Sequence, residues 1–184
     1  MKDIKDAVII PEMRLSVDER LEMLHFFHMN KDQYGKEYIS STGRSTGMWV
    51  VNEFEPNYIM KRMHAMIPPE LYKESAFLAN NGIGRHHDAS RQCVISFEIL
   101  NIDREPMNMY YENNIEHVFY NGDTIMWNPQ VEHNVAPCQN LRVLYQIELN
   151  NTKPFSYYRD LYENGKLFTE FTAVFHKVKQ PYPY

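Results

Sequence analysis

The chain has few cysteines and no long apolar run, and each shortage argues against a class of protein. Its two cysteines, Cys93 and Cys138, do not make a disulfide framework, so a reducing cytoplasmic compartment is the simpler expectation. No segment approaches the roughly 20 apolar residues of a membrane helix. A signal peptide is not expected either, because the charged N-terminal residues precede only the short apolar run 7–10.

Excess positive charge is also missing. The formal net charge is -5, from 19 Lys and Arg against 24 Asp and Glu. Such a chain offers no broad basic face for a phosphate backbone, so nucleic acid is not expected as a partner. With 184 residues, 43% of them hydrophobic, the sequence predicts one domain, residues 1–184, that buries its own core.

Aromatic residues are abundant, which favours β structure. Residues 1–72 nevertheless show a mixed and mostly helical pattern. Ser16 and Glu19 have the spacing of a capping box, which predicts a helix after Ser16. A second helix is predicted over about 56–66, and the glycine-rich stretch 34–51 between them predicts a strand or loop pair.

Residues 73–150 have the sequence pattern of a β protein. Short apolar or alternating runs follow one another, separated by turn signals such as Asn81-Gly82 and Asn121-Gly122, which predict hairpins. Short strands at this close spacing, without helices between them, indicate a sandwich or barrel of mainly antiparallel sheet. In the C-terminal region 151–184 we expect one more strand, 166–175, and an irregular tail.

The segment "GRHHDASR" holds the first candidate ligands of a metal site. Because strand side chains alternate, His86 and Asp88 can point the same way while His87 points the other way. His133, on a later predicted strand, fits as the third ligand. Two histidines and one carboxylate leave three open positions on an octahedral ion, which suits non-haem Fe(II).

Arg142 lies on the last core strand, "LRVLYQIEL", between apolar neighbours. Strand alternation places Arg142 on one face with Leu144 and Gln146. A buried arginine is costly without a partner, and a forked pairing with a carboxylate would account for its position.

Residues 78–150 resemble the core of the Fe(II)/2-oxoglutarate-dependent oxygenases, most closely the prolyl hydroxylase and aspartyl/asparaginyl hydroxylase-like groups. The resemblance rests on His86-x-Asp88, the distal His133 in "NGDTIMWNPQVEHNVAP", and the basic residue Arg142 that follows. It implies a mainly β fold, a double-stranded β-helix of the jelly-roll or cupin type, here with the N-terminal helices packed outside.

The resemblance also implies a chemistry, that of a dioxygenase that hydroxylates its substrate. His86, Asp88 and His133 would hold Fe(II), and the co-substrate 2-oxoglutarate would chelate the iron while Arg142 binds its far carboxylate. Dioxygen would take the remaining position. Tyr110 and Tyr111 occupy adjacent strand positions, so one of them faces inward and is a candidate contact of that carboxylate. The substrate stays open between a protein side chain, an amino acid and another small metabolite.

Several alternatives remain at this stage. A bulged strand would make His87 the ligand in place of His86. Arg91 could reach the co-substrate, although an exposed position at the strand end is the preferred interpretation. Trp127 could form a wall of the pocket or simply pack in the core. At the level of function, the alternatives are a cupin-like metalloenzyme that does not use 2-oxoglutarate, in which Arg142 has no role, and a non-catalytic jelly-roll binding module.

Overall fold

The computed structural model describes residues 4–39 and 45–169. Its helices are α1 Val17–Tyr34, α2 Tyr58–Ala65 and α3 Phe155–Glu163, with a 3-10 turn at Pro11–Met13. Its strands are β1 Ala7–Ile9, β2 Gly35–Ile39, β3 Ser45–Val51, β4 Tyr72–Asn80, β5 Ile83–His86, β6 Val94–Leu100, β7 Met107–Tyr111, β8 Asn114–Val118, β9 Thr124–Trp127, β10 His133–Val135 and β11 Arg142–Leu149. No helix in the described ranges combines the length and the apolar character needed to cross a membrane.

The strands form two antiparallel sheets. The large sheet has the order β1-β9-β6-β11-β4-β3-β2, and the small sheet has the order β5-β10-β7-β8. Residues of both sheets, among them Met109, Val118 and Leu144, share one apolar cluster, which is the barrel interior. The predicted mainly β, double-stranded β-helix fold is therefore confirmed.

The N-terminal helices α1 and α2 cover the outer face of the large sheet, as predicted. Ser16 caps α1 in a complete capping box: its hydroxyl accepts from the Glu19 amide at 3.2 Å, and the Glu19 carboxylate accepts from the Ser16 amide at 2.7 Å. Phe27 of α1 and Met63 of α2 are buried in one cluster with Phe77 of β4. The large sheet is thus buried on both faces, which explains why every residue of β11 is buried.

The N-terminal region contributes one strand, β1, that the sequence does not predict. The apolar run 7–10 contains strand β1, which pairs with β9 at one edge of the large sheet. The stretch 34–51, predicted as a strand or loop pair, forms β2 and β3, which extend the other edge. Short edge strands of this kind give little local signal, because tertiary pairing rather than propensity holds them in place.

The two Asn-Gly turns were predicted to close hairpins, and this prediction is wrong. Asn81-Gly82 leads from β4 in the large sheet to β5 in the small one, and Asn121-Gly122 leads from β8 to β9 in the opposite direction. Asn121, Gly82 and Gly122 all have positive φ, so the turns are sharp, but the strands on either side pair with other partners. A hairpin does join β7 to β8, in which Tyr111 lies opposite Asn114.

The C-terminal region also departs from its prediction. Helix α3, which the sequence analysis missed, buries Phe155 and Tyr158 against the helix-covered core. Residues 166–169, the beginning of the predicted strand 166–175, are not in a strand. The rest of that predicted strand and the tail lie outside the described residues.

Candidate metal centre

His86, Asp88 and His133 converge at one end of the barrel. Strands β5 and β10 are neighbours in the small sheet, and His86 lies directly opposite His133. Asp88 follows β5 and is held by its backbone amide, which donates to the Pro129 carbonyl at 2.9 Å. The ring centroids of His86 and His133 are 4.3 Å apart. One possible ligand atom from each of the three side chains lies within 4.8 Å of the others.

Both imidazoles are oriented by a backbone carbonyl two residues earlier. His86 Nδ1 lies 2.8 Å from the Gly84 oxygen, and His133 Nδ1 lies 2.8 Å from the Val131 oxygen. A carbonyl only accepts, so each Nδ1 carries the proton and each Nε2 keeps a free lone pair. Metal-binding histidines are oriented by second contacts of this type.

The protonation state of His133 is also suited to a cation. Burial lowers the pKa of His133 to about 4, so the ring is neutral near pH 7. The edge-to-face contact with Trp127, at 4.8 Å between ring centroids, supplies part of that apolar surrounding. Trp127 is itself buried, so it both packs in the core and forms a wall of the site.

His87, the alternative ligand, does not join this cluster. Its side chain is exposed, and it lies near the Glu132 side chain rather than in the cluster. β5 thus shows the alternation that the sequence predicts, with His86 and Asp88 on the side of the cluster and His87 away from it. The geometry favours His86 over His87 as the candidate ligand.

Arg142 is buried in the barrel interior without a hydrogen-bond partner in the described ranges. Its side chain is 1% exposed, and none of its three guanidinium nitrogens finds an acceptor there. The guanidinium carbon lies 5.0 Å from the ring centre of Tyr120. A buried cation without an anion is unfavourable, so this donor set fits an incoming carboxylate.

The structure places the two predicted tyrosines away from Arg142. Tyr110 faces outward, where the Arg85 guanidinium lies 4.1 Å from its ring centre. Tyr111 faces inward, since it alternates with Met107 and Met109 of the interior cluster. It lies at the end of β7 nearest His133, however, whereas Arg142 lies at the opposite end of the barrel.

Tyr120 occupies the place that the sequence analysis gave to Tyr110 or Tyr111. It is 1% exposed, its hydroxyl makes no hydrogen bond of normal geometry to the described residues, and burial raises its pKa. Tyr120 follows the end of β8, where strand alternation no longer applies. No sequence pattern could therefore have singled it out.

Arg91 departs from its predicted exposed position. It is half-buried and donates from Nε at 3.0 Å, and also from one Nη, to a single oxygen of Asp88. Its other Nη donates to Gln146 at 3.1 Å. The preferred prediction, an exposed arginine, is wrong because a loop position has no fixed orientation that the sequence alone could reveal.

Comparisons with known proteins find similarity in structure but not in sequence. No protein-family model and no curated protein sequence matches the chain. A prolyl hydroxylase from Trichoplax adhaerens, solved with a peptide of hypoxia inducible factor, superposes with a TM-score of 0.62 at 13% identity, over 83% of this chain and 86% of that one.

Two further solved structures show the same likeness. The α-ketoglutarate-dependent epimerase SnoN of nogalamycin biosynthesis matches with a TM-score of 0.59 at 12% identity, over 80% of this chain and 79% of that one. A prolyl-4-hydroxylase from Pseudomonas putida matches with a TM-score of 0.57 at 9% identity, over 80% of this chain and 94% of that one. The chain therefore has the double-stranded β-helix fold of the Fe(II)/2-oxoglutarate-dependent oxygenases.

Proposed function

We propose that the protein is an Fe(II)- and 2-oxoglutarate-dependent dioxygenase that hydroxylates its substrate. The observation that carries the proposal is the buried guanidinium of Arg142, which has no hydrogen-bond partner within 4–39 and 45–169, in the same interior that ends at His86, Asp88 and His133. A fold shared with enzymes of this chemistry supports it.

The three candidate ligands fit Fe(II) in chemistry and in number. Two neutral imidazole nitrogens and one carboxylate oxygen form the donor set typical of non-haem iron oxygenases, with three positions left for other ligands. When bound, the iron supplies the oxidising power, and 2-oxoglutarate and dioxygen are the co-substrates. The protein's share is to hold His86 and His133 with their Nε2 lone pairs free.

The residues around Arg142 fit the far carboxylate of the co-substrate. Arg142 can donate two parallel N–H groups to the far carboxylate of 2-oxoglutarate, which would neutralise the buried cation. The Tyr120 hydroxyl is buried beside it and makes no hydrogen bond of normal geometry to the described residues, so it can donate to the same carboxylate. Leu144 and Met109 belong to the apolar cluster of this interior.

The two alternative functions explain less of the structure. A cupin-like metalloenzyme without a 2-oxo acid gives Arg142 no partner, and the free energy cost of burying its charge is then uncompensated. A binding module without metal gives no reason for two imidazoles with oriented, free Nε2 atoms beside a carboxylate. The oxygenase proposal accounts for both features.

The substrate stays open between a protein side chain, an amino acid and another small metabolite. One of the similar structures contains a peptide, and another belongs to the biosynthesis of a small molecule, so the fold favours neither. We expect neither a nucleic-acid nor a membrane partner from the charge and composition of the chain, and the two unpaired cysteines favour a cytoplasmic setting.

The proposal is tested by a thermal shift titration with Mn(II) and 2-oxoglutarate, alone and together. We expect each to strengthen the binding of the other, because 2-oxoglutarate would contact both the metal and Arg142. His133→Ala should abolish the response to both and also the formation of succinate by the iron-loaded protein. Arg85→Gln, which removes an exposed charge next to the cluster, is the matched control and should respond like the wild type. Undiminished succinate formation by His133→Ala would contradict the proposal.

A further inference from the structure

The two oxygens of Asp88 have different surroundings. Oδ2 accepts both N–H donors from Arg91, whereas Oδ1 lies 3.7 Å from His86 Nε2, on the side of the candidate ligand cluster. One oxygen is therefore occupied by the protein, and the other is available to a cation.

On the side away from Asp88, the Arg91 guanidinium is fixed by a chain of hydrogen bonds through the barrel interior. Arg91 donates to Gln146 at 3.1 Å, and Gln146 donates to the Ser96 hydroxyl at 2.9 Å. The Trp127 indole also donates to Ser96 at 2.9 Å, and its ring contacts His133. These residues lie on β6, β9 and β11, so three strands of the large sheet fix the position of the guanidinium.

A second arginine beside the cluster provides a contrast. Arg85 pairs with Glu132, and the two side chains are 54% and 44% exposed; for Arg91 and Asp88 the fractions are 24% and 21%. An exposed ion pair is screened and exchanges readily with water. The partly buried pair, in which two donors of one guanidinium share one oxygen, is much better able to hold a carboxylate in a single orientation.

We infer that Arg91 is a positioning residue that limits Asp88 to one metal-binding oxygen. With Oδ2 engaged by Arg91, the carboxylate can donate only Oδ1 to a metal ion, so three ligand atoms come from the chain. This inference rests on the proposed function, in which 2-oxoglutarate and dioxygen together require the three remaining positions. Without Arg91, both Asp88 oxygens could bind the ion and occupy one of those positions.

The test uses Co(II) as the probe, because its visible absorption reports the number and geometry of its ligands. Arg91→Met should still bind Co(II), but with an altered visible spectrum that indicates a higher share of carboxylate donation. We expect its affinity for 2-oxoglutarate, measured on the Co(II)-loaded protein, to fall by about tenfold, the lower end of the usual effect of removing a group that orients a metal ligand, because the second Asp88 oxygen would compete for a position that the co-substrate needs.

Arg91→Lys and Arg85→Met complete the design. Lysine keeps the charge and can donate to Oδ2, but it lacks the fork that reaches Gln146, so we expect a spectrum between those of the wild type and Arg91→Met. Arg85→Met should give the wild-type spectrum and the wild-type affinity for 2-oxoglutarate. Circular dichroism checks that each variant is folded, and Arg91→Lys serves as the test if Arg91→Met is not.

The outcomes separate the inference from the function on which it rests. If folded Arg91→Met has the spectrum and the 2-oxoglutarate affinity of Arg85→Met, the inference is wrong while the proposed function stands. A folded Arg91→Met that no longer binds Co(II) also overturns it, because Arg91 would then be required for binding itself. If the wild type shows no Co(II) spectrum that depends on His133, the proposed function and the inference fall together.

Discussion

Strand β11 has two faces that are equally buried and chemically different. Val143, Tyr145 and Ile147 point to the helix-covered side of the large sheet, and each is 0% exposed. Arg142, Leu144 and Gln146 point into the barrel and are 1%, 6% and 6% exposed. Burial alone therefore does not distinguish the structural side of the strand from the side that we propose to be functional.

The difference lies in how the buried polar groups are satisfied. On the helix side, the Tyr145 hydroxyl donates to Ser75 at 2.8 Å and shares a hydrogen bond of 2.7 Å with His64. On the barrel side, the guanidinium of Arg142 has no acceptor among the described residues. Proteins rarely leave a buried donor unpaired, so an unpaired set of this kind points to an external ligand.

The largest effect is expected for a substitution on the helix-covered face of β11. Ile147→Ala removes buried apolar contacts and leaves a cavity in the helix-covered core, so we expect the free energy of unfolding to fall by roughly 2–5 kcal/mol. Chemical denaturation measures this loss. At a temperature where the variant is folded, its affinity for 2-oxoglutarate should equal that of the wild type. A loss of affinity without a loss of stability would show that the two faces are not separate in function.

The second largest effect is expected for a substitution on the barrel-facing side of β11. Arg142→Met removes the proposed carboxylate contact, which we expect to weaken 2-oxoglutarate binding by about 1.5–3 kcal/mol, the typical value of a hydrogen bond to a charged group. Because it also removes a buried cation that has no partner among the residues that the structure describes, the melting temperature should stay the same or rise. Calorimetric titration of the Mn(II)-loaded protein and a thermal melt give the two values. A marked fall in melting temperature would mean that the guanidinium has a structural partner.

Strand alternation explains which features could be predicted from the sequence. His86, Asp88 and Arg142 all lie in or next to paired strands, where every second side chain shares a face, and the structure orients them as expected. That these residues bind iron and 2-oxoglutarate remains a prediction. The alternation of β7 likewise identifies Tyr111 as the inward member of the tyrosine pair.

Positions in the connections could not be predicted in this way. Tyr120 and Arg91 lie beyond strand ends, where the direction of a side chain depends on the path of the whole loop. The Asn-Gly turns indicate a reversal of the chain, but the local sequence carries no information about which sheet receives the next strand. Helix α3 lacks several of the usual end signals: Pro154 at its N-cap offers no side-chain cap, and the helix has no acidic residue in its first turn and no basic residue in its last.

The smallest expected effect concerns His64 on the helix-covered side and the pH dependence of the free energy of unfolding. Burial lowers the pKa of His64, so the folded protein disfavours its protonated form. Below about pH 6.5, the ordinary pKa of histidine, the unfolded chain therefore takes up a proton that the folded chain resists, and the free energy of unfolding falls with the pH. His64→Gln can keep a hydrogen bond to Tyr145 but does not titrate, so its stability should fall less than that of the wild type between pH 7 and pH 5. Denaturant unfolding of both proteins across this range measures the difference, and identical slopes would mean that His64 is protonated equally easily in the folded and unfolded states.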